Sequence, residues 1–185
     1  MKPSAMLLED FLKNPLLVKK EIKQMEMANA IINGVCYEGI VNLTNSRISI
    51  DIVRGLKKVY PNARATKTFA KYSLEQMKPP NWAKSDKNQA EMIALIFLNE
   101  KDAIPTTSIL QHDSGFYTHP SSPREESSLR DDSSNTFKWL PRHVFRGHFN
   151  DCWIMNSKYI YGEGCSFGRT KDSGRLVITC FFDIS

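Results

Sequence analysis

The chain has 185 residues, a formal net charge of +5 and 41% hydrophobic residues. These values are typical of one basic globular domain, which we predict to span 1–185. The longest uninterrupted apolar run, which is Ile93–Leu98 together with Met92, is far shorter than a membrane-spanning helix requires. The shortness of this run argues against a chain that crosses a bilayer with helices.

The cysteines and the first residues indicate the cellular setting. Cys36, Cys152, Cys165 and Cys180 are widely spaced and form no C-x-x-C pair, which favours reduced thiols over a disulfide framework. No extended apolar segment precedes Glu9, so we expect no secretory signal peptide. We therefore expect a cytoplasmic protein that does not associate with a membrane.

Residues 1–101 carry patterns that predict helices. Asn14-Pro15 is typical of a helix start, and apolar residues follow it at intervals of three and four. The predicted helices cover about 15–33, 49–60, 67–77 and 86–99. Lysines that include Lys71 gather near the end of the second helix, and a solvated helix face explains them better than a phosphate-binding surface.

The middle of the chain changes character. Ala103–Gln111 is predicted to be extended, because β-branched residues surround its proline. Asp113–Thr136 is rich in serine and charged residues and has few apolar side chains to pack. We predict that 113–136 is a mobile loop.

From Phe137 onward, alternation with a period of two predicts strands in 137–185. We expect a three-stranded antiparallel meander, with strands over about 137–149, a hairpin from 152–155 to 158–161, and a last strand over 175–182. The last strand is apolar on both faces, so it should be central. The predicted fold class is α+β, with N-terminal helices packed on a small C-terminal antiparallel β-sheet and a long mobile loop between them.

The densest group of titratable and cationic side chains lies in this β-rich part. Arg142, His143, Arg146 and His148 fall within seven residues. In a regular strand, Arg142, Arg146 and His148 project to one face and His143 to the other. A bulge at Gly147 would bring both histidines to one side.

This group suits cleavage of RNA without a metal or another cofactor. The reaction needs a base for the 2′ hydroxyl, an acid for the leaving oxygen and fixed cations around the phosphate. His148 and His143 could serve as base and acid. Arg142, Arg146 and Lys158 could supply the cations, and Arg169 and Arg175 are further candidates for that role.

The segment His143-Val144-Phe145, followed by a glycine, resembles the first histidine segment of EndoU-type enzymes. More broadly, helices followed by a small sheet with His and Arg resemble the metal-independent RNase toxins that include the colicin and EndoU-type domains. The second histidine motif of EndoU-type enzymes has no counterpart in this chain. The resemblance implies a toxin-like ribonuclease whose partners are nucleic acid, with RNA preferred, and an inhibitor or regulatory protein.

Two alternatives remain open at this point. The same basic surface could belong to a non-catalytic regulator that binds nucleic acid or protein. The other is a Cys-His hydrolase of papain-like type, in which Cys36 at a helix start is the nucleophile, His148 the base, and Asn156 or Glu163 the orienting residue.

Overall fold

The computed structural model describes residues 5–32, 35–77, 83–86, 89–100 and 105–185, without the side chains at 31, 32, 35 and 36. The described part contains ten strands and three short helices. The strands are β1 (Ala5–Leu8), β2 (Ala28–Ile32), β3 (Val35–Asn42), β4 (Arg64–Ser73), β5 (Met92–Phe97), β6 (Thr106–His112), β7 (Trp139–Arg146), β8 (Cys152–Asn156), β9 (Tyr161–Glu163) and β10 (Arg175–Asp183). The helices are α1 (Pro15–Gln24), α2 (Arg47–Leu56) and α3 (Pro123–Asp132).

The strands form two antiparallel sheets. The large sheet has seven strands in the order β1-β8-β5-β10-β4-β3-β2, and the small sheet has three in the order β7-β6-β9. One apolar core, which includes Phe97 of β5 and Phe145 of β7, lies between the sheets. A second core, which includes Ile22 and Ile52, lies between the large sheet and helices α1 and α2. The molecule therefore has a helical layer, a large sheet and a small sheet.

Strand β10 shows how the layers follow from side-chain alternation. Val177 and Phe181 pack into the core between the sheets, and Leu176 and Ile178 pack toward the helices. Both faces of β10 are buried, as expected for a strand in the middle of a layered structure. The prediction that this strand is central is confirmed.

The predicted fold class is wrong, because this is mainly a β protein and not a set of helices on a small sheet. The segment predicted as a helix over 67–77 overlaps strand β4, and the segment predicted as a helix over 86–99 contains strand β5. Strand β5 is apolar on both faces because both faces are covered, so it lacks the alternation that marks a half-exposed strand. The predicted helix over 15–33 ends at Gln24 and is followed by β2.

Other local predictions match the structure to different degrees. Helix α2 lies within two residues of its predicted start and begins at an N-cap serine, Ser46. The loop predicted over 113–136 is wrong in part, because ten of its residues form helix α3, which begins after the N-cap serine Ser122 with Pro123 in its first turn. The predicted meander is wrong in its pairing, because β7 and β9 pair with β6, while β8 and β10 pair within the large sheet. No helix in the described residues is long and apolar enough to span a membrane.

Candidate functional site

A group of charged side chains lies between the two sheets. We call Lys71, Lys84, Glu163 and Arg175 the central ion-pair cluster. The Oε2 atom of Glu163 accepts from Lys71 Nζ at 2.8 Å and from Arg175 Nη1 at 3.0 Å. Its Oε1 atom accepts from Lys84 Nζ at 2.6 Å. Three cations therefore converge on one carboxylate.

The sheets position these residues. Lys71 lies directly opposite Val177 in the pairing of β4 with β10, so its side chain shares the face that points into the core between the sheets. Arg175 lies two residues before Val177 and shares that face. Glu163 is the last residue of β9 in the small sheet, and Lys84 lies beside that strand through an antiparallel bridge. The cluster therefore ties the two sheets together.

The charges in the cluster change one another's pKa. Burial raises the pKa of Glu163, but the attraction of Lys71, Lys84 and Arg175 outweighs burial and holds this pKa well below its usual 4.5. For Lys71, burial lowers the pKa, and Glu163 only partly offsets this. Burial also lowers the pKa of Lys84, but Glu163 and Tyr37 more than compensate and raise it. Glu163 is thus anionic at neutral pH, and Lys84 is held as an ammonium.

A tyrosine and an aspartate lie beside the cluster. Tyr161 Oη donates to Asp86 Oδ2 at 2.5 Å. Burial, and then the charge and hydrogen bond of Asp86, raise the pKa of Tyr161 well above 10.0. The ammonium of Lys84 lies over the rings of Tyr37 and Tyr161, at 5.3 Å and 5.0 Å from their centroids. The phenol is therefore a neutral hydrogen-bond donor, and Asp86 accepts from it.

Several buried polar atoms around the cluster have no hydrogen-bond partner among the described residues. They are Arg175 Nε, Ser73 Oγ and Thr107 Oγ1. Ser73 lies directly opposite Arg175, and Thr107 lies directly opposite Glu163. Each unsatisfied buried donor costs about 1–3 kcal/mol, so atoms of this kind seldom occur together without a polar ligand or bound water. The three cations also outnumber the carboxylates of Glu163 and Asp86 by one positive charge. The surroundings suit a small anion.

Most of the residues predicted as a ribonuclease site lie elsewhere, in and after the edge strand β7, whereas Arg175 belongs to the cluster. Arg142 and Arg146 are exposed, whereas His143 is half-buried and its ring lies 4.7 Å from that of Phe145. The expected alternation of β7 is therefore present from His143 to Arg146 and is interrupted at Arg142. His148 follows the strand in an exposed turn.

Lys158 is exposed and lies in the turn between β8 and β9. The irregularity in the pairing of β6 with β7 leaves Arg142 as the extra residue, so it does not fall at Gly147. The backbone N–H of His148 donates to Asp151 Oδ2 at 3.0 Å, which fixes the turn. The assignment of these residues to a catalytic site stays a prediction.

The sequence pointed to Lys71, Glu163 and Arg175 for unrelated roles, and it did not predict that their side chains meet. One signal was available: Lys71 lies between Ala70 and Tyr72, and Arg175 directly precedes the apolar run that starts at Leu176. Charged residues inside or beside strongly apolar segments are buried only when they are paired. Their partner Glu163 is distant in sequence, so the pairing itself had no local signal.

A second polar group, which the sequence also did not reveal, surrounds His112 at the end of β6. Its Nδ1 atom lies 2.8 Å from Ser114 Oγ, and its Nε2 atom lies 3.0 Å from Asp132 Oδ2. The rings of Phe116 and Trp139 pack against the imidazole, with centroids 4.9 Å and 4.8 Å away. Because Asp132 ends α3, this contact attaches the helix to the small sheet.

Comparison with known proteins gives a fold but no family. No family model matches the chain, and no curated protein matches it. Several solved structures are similar along nearly the whole chain. The non-heme α-ketoglutarate-dependent epimerase SnoN from nogalamycin biosynthesis has a TM-score of 0.60 and 11% identity, covering 98% of this chain and 76% of SnoN.

HygX from Streptomyces hygroscopicus, solved with iron bound, has a TM-score of 0.61 and 8% identity, covering 98% of this chain and 82% of HygX. EctD from S. alaskensis, solved with 2-oxoglutarate and 5-hydroxyectoine, has a TM-score of 0.56 and 8% identity, covering 98% and 72% of the two chains.

These likenesses overturn the toxin-like ribonuclease hypothesis, because the similar structures are iron and 2-oxoglutarate proteins and not nucleases. The papain-like alternative is wrong as well. Cys36 belongs to strand β3, so it does not begin a helix, and its side chain lies outside the described residues. Binding of nucleic acid, or of a regulatory protein, stays a prediction.

The residues between the sheets do not fit an iron centre. Non-heme iron enzymes of this kind use two histidines and one carboxylate with open positions for substrate. In the described ranges, no three His, Cys, Asp or Glu side chains meet in a way that could hold a metal ion. The Glu163 carboxylate is bound by three cations, which would repel a dication, and Asp86 accepts from Tyr161. The chain therefore has the two-sheet fold of these iron and 2-oxoglutarate proteins, but a charge cluster occupies the space between its sheets.

Proposed function

We propose that this protein binds a small organic carboxylate between its two sheets, through a cationic cluster and not through a metal ion. The observation that carries the proposal is the guanidinium of Arg175, which is 1% exposed and uses Nη1 for Glu163 while its Nε finds no partner in the described structure. A guanidinium presents a fork of donors that matches the two oxygens of a carboxylate. A carboxylate from a ligand would accept a hydrogen bond from Arg175 Nε, which Glu163 does not contact.

The electrostatics support one carboxylate group at this point. One positive charge remains in the cluster after Glu163 and Asp86 are counted. Burial makes that excess costly, and an incoming carboxylate would neutralise it. The hydroxyls of Ser73 and Thr107 could donate to the same ligand.

The similar structures suggest which carboxylate to test first. SnoN is described as α-ketoglutarate-dependent, and EctD was solved with 2-oxoglutarate. The fold alone carries this comparison, since the identities are 11% and 8%. We choose 2-oxoglutarate as the first ligand because its carboxylates suit Arg175 and the fold is known to accommodate it.

The cellular location of the protein is part of the same proposal. We place the protein in the cytoplasm, where small carboxylates are abundant and thiols stay reduced. The free thiols of Cys152, Cys165 and Cys180 support this location.

Isothermal titration of chelator-treated protein with 2-oxoglutarate tests the proposal. We expect binding without added metal, and a loss of at least about tenfold in affinity for Arg175→Lys, because lysine lacks the planar fork. Arg169→Lys is the matched control, since Arg169 is exposed and paired with exposed Glu75. The neutral dimethyl ester of 2-oxoglutarate should not bind.

Two results would refute the proposal. One is the absence of binding heat at millimolar 2-oxoglutarate, succinate or pyruvate. The other is binding that requires added ferrous iron, or that is equal in Arg175→Lys and the wild type.

A further inference from the structure

The two lysines of the central ion-pair cluster have different surroundings. Lys84 is 2.6 Å from Glu163 and lies over two tyrosine rings, so its charge is well stabilised. Lys71 is 2.8 Å from Glu163, and its ammonium lies over one of these rings, that of Tyr37, at 5.5 Å. Its side chain is 12% exposed, so it is shielded from water and still reachable. Burial, together with the charges of Lys84 and Arg175, lowers the pKa of Lys71 even though Glu163 raises it. Lys71 is therefore the amine that loses its proton more readily.

Lys71 also lies beside the proposed carboxylate site. Lys71 Nζ and Arg175 Nη1 donate hydrogen bonds to the same oxygen, Glu163 Oε2, at 2.8 Å and 3.0 Å. The distance between the two nitrogens therefore cannot exceed the sum of these two lengths. In a 2-oxo acid the ketone carbon is bonded directly to the carboxylate carbon. A carboxylate held by Arg175 would therefore place the ketone within reach of the Lys71 amine.

We propose that Lys71 forms a Schiff base with the ketone of a 2-oxo acid whose carboxylate binds Arg175. This inference rests on the proposed carboxylate site and adds a covalent step to it. Buried lysines beside other cations are the kind that act as amine nucleophiles toward carbonyl compounds.

The lowered pKa of Lys71 and its contact with Glu163 account for the proton transfers that the step requires. The Lys71 ammonium loses one proton to water at its exposed edge, while Glu163 stays anionic and orients the neutral amine across the 2.8 Å contact, and this amine attacks the ketone carbon. The new C–N bond forms as the carbonyl electron pair moves to oxygen, and a second proton passes from nitrogen to that oxygen. A proton from water then adds to the hydroxyl, which leaves as water while the C=N bond forms. Ammonium and ketone give iminium and water, with no oxidant or reductant consumed.

Reductive trapping tests this step. The full-length protein is incubated with 2-oxoglutarate or pyruvate and sodium cyanoborohydride, and then analysed by intact mass and peptide mapping. We expect one reduced adduct per chain, on the peptide that contains Lys71, and no adduct with succinate, which lacks a ketone. Lys71→Met should abolish the adduct. Lys67→Met, on the same strand outside the cluster, should keep it.

The outcomes separate this inference from the proposed function. Binding of 2-oxoglutarate without a trapped adduct, or an adduct on Lys84 or spread over surface lysines, would overturn the Schiff base and leave the carboxylate site. Absence of both binding and adduct would overturn both. Mapping the wild-type adduct keeps the test decisive even if Lys71→Met does not fold.

Discussion

The substitution Glu163→Gln measures how much the central ion-pair cluster contributes to stability. It keeps the shape of the side chain and removes the negative charge that three cations share. At an effective dielectric constant of about 20, unit charges about 3 Å apart attract by about 5 kcal/mol, so the gross attraction is about 15 kcal/mol. Desolvation of the four groups offsets most of it. Removal of one partner from a buried pair costs about 3–5 kcal/mol. Glu163 keeps 23% of its side chain exposed, which favours the lower end of that range.

Urea denaturation at pH 7, followed by circular dichroism, provides the assay. For a loss of about 3 kcal/mol and a slope of about 2 kcal/mol per molar urea, the midpoint should fall by about 1.5 M. The melting temperature should fall by about 6–12 °C. Glu75→Gln is the matched control, because Glu75 pairs with Arg169 at 3.1 Å but both side chains are exposed. Its midpoint should not change, since exposed ion pairs contribute little.

The stability that Glu163 contributes should also depend on pH in a definite direction. The pKa of Glu163 is lower in the folded state than the usual 4.5. Its contribution is therefore complete above pH 4.5 and is lost as the pH falls through the folded value. The stabilities of wild type and Glu163→Gln should differ by a constant amount from pH 7 to about pH 4.5 and then converge. Equal urea midpoints at pH 7, or a difference that persists unchanged into strong acid, would refute the reasoning.

Three further substitutions test how the fold is held. Gly147→Ala should cost about 1–3 kcal/mol of unfolding free energy, because the added Cβ would lie 2.1 Å from the ring of fully buried Phe97; an unchanged melting temperature would contradict this contact. Asn150→Ala should cost at least about 2 kcal/mol in urea denaturation, because the Asn150 side chain accepts from Leu12 N at 2.9 Å and donates to Leu12 O at 3.0 Å; a smaller loss would mean that other groups replace these bonds. Ser46→Ala should cost about 1 kcal/mol by removing the N-cap of α2, and amide exchange should quicken in the first turn of that helix and nowhere else.

Several features of the fold were determined by the sequence alone, because their signals are local. Asn14-Pro15 marks the start of α1, and the apolar spacing after Ser46 marks α2. The β-branched residues around β6 and the doubly apolar β10 also predicted strands correctly. In each case neighbouring residues choose between helix and strand through backbone propensity and side-chain period.

The rest was decided by tertiary structure. Strands β4 and β5 look helical in isolation and become strands because β10 lies between them and pairs with both. The site depends even more on long-range contact, since Lys71, Lys84, Glu163 and Arg175 come from separate strands and loops of both sheets. A buried charge is stable only beside its partners, and nothing local in the sequence states which distant residues those are. The way the strands pair therefore decides where the candidate site lies: it brings the buried charge cluster together and leaves the basic residues of β7 exposed.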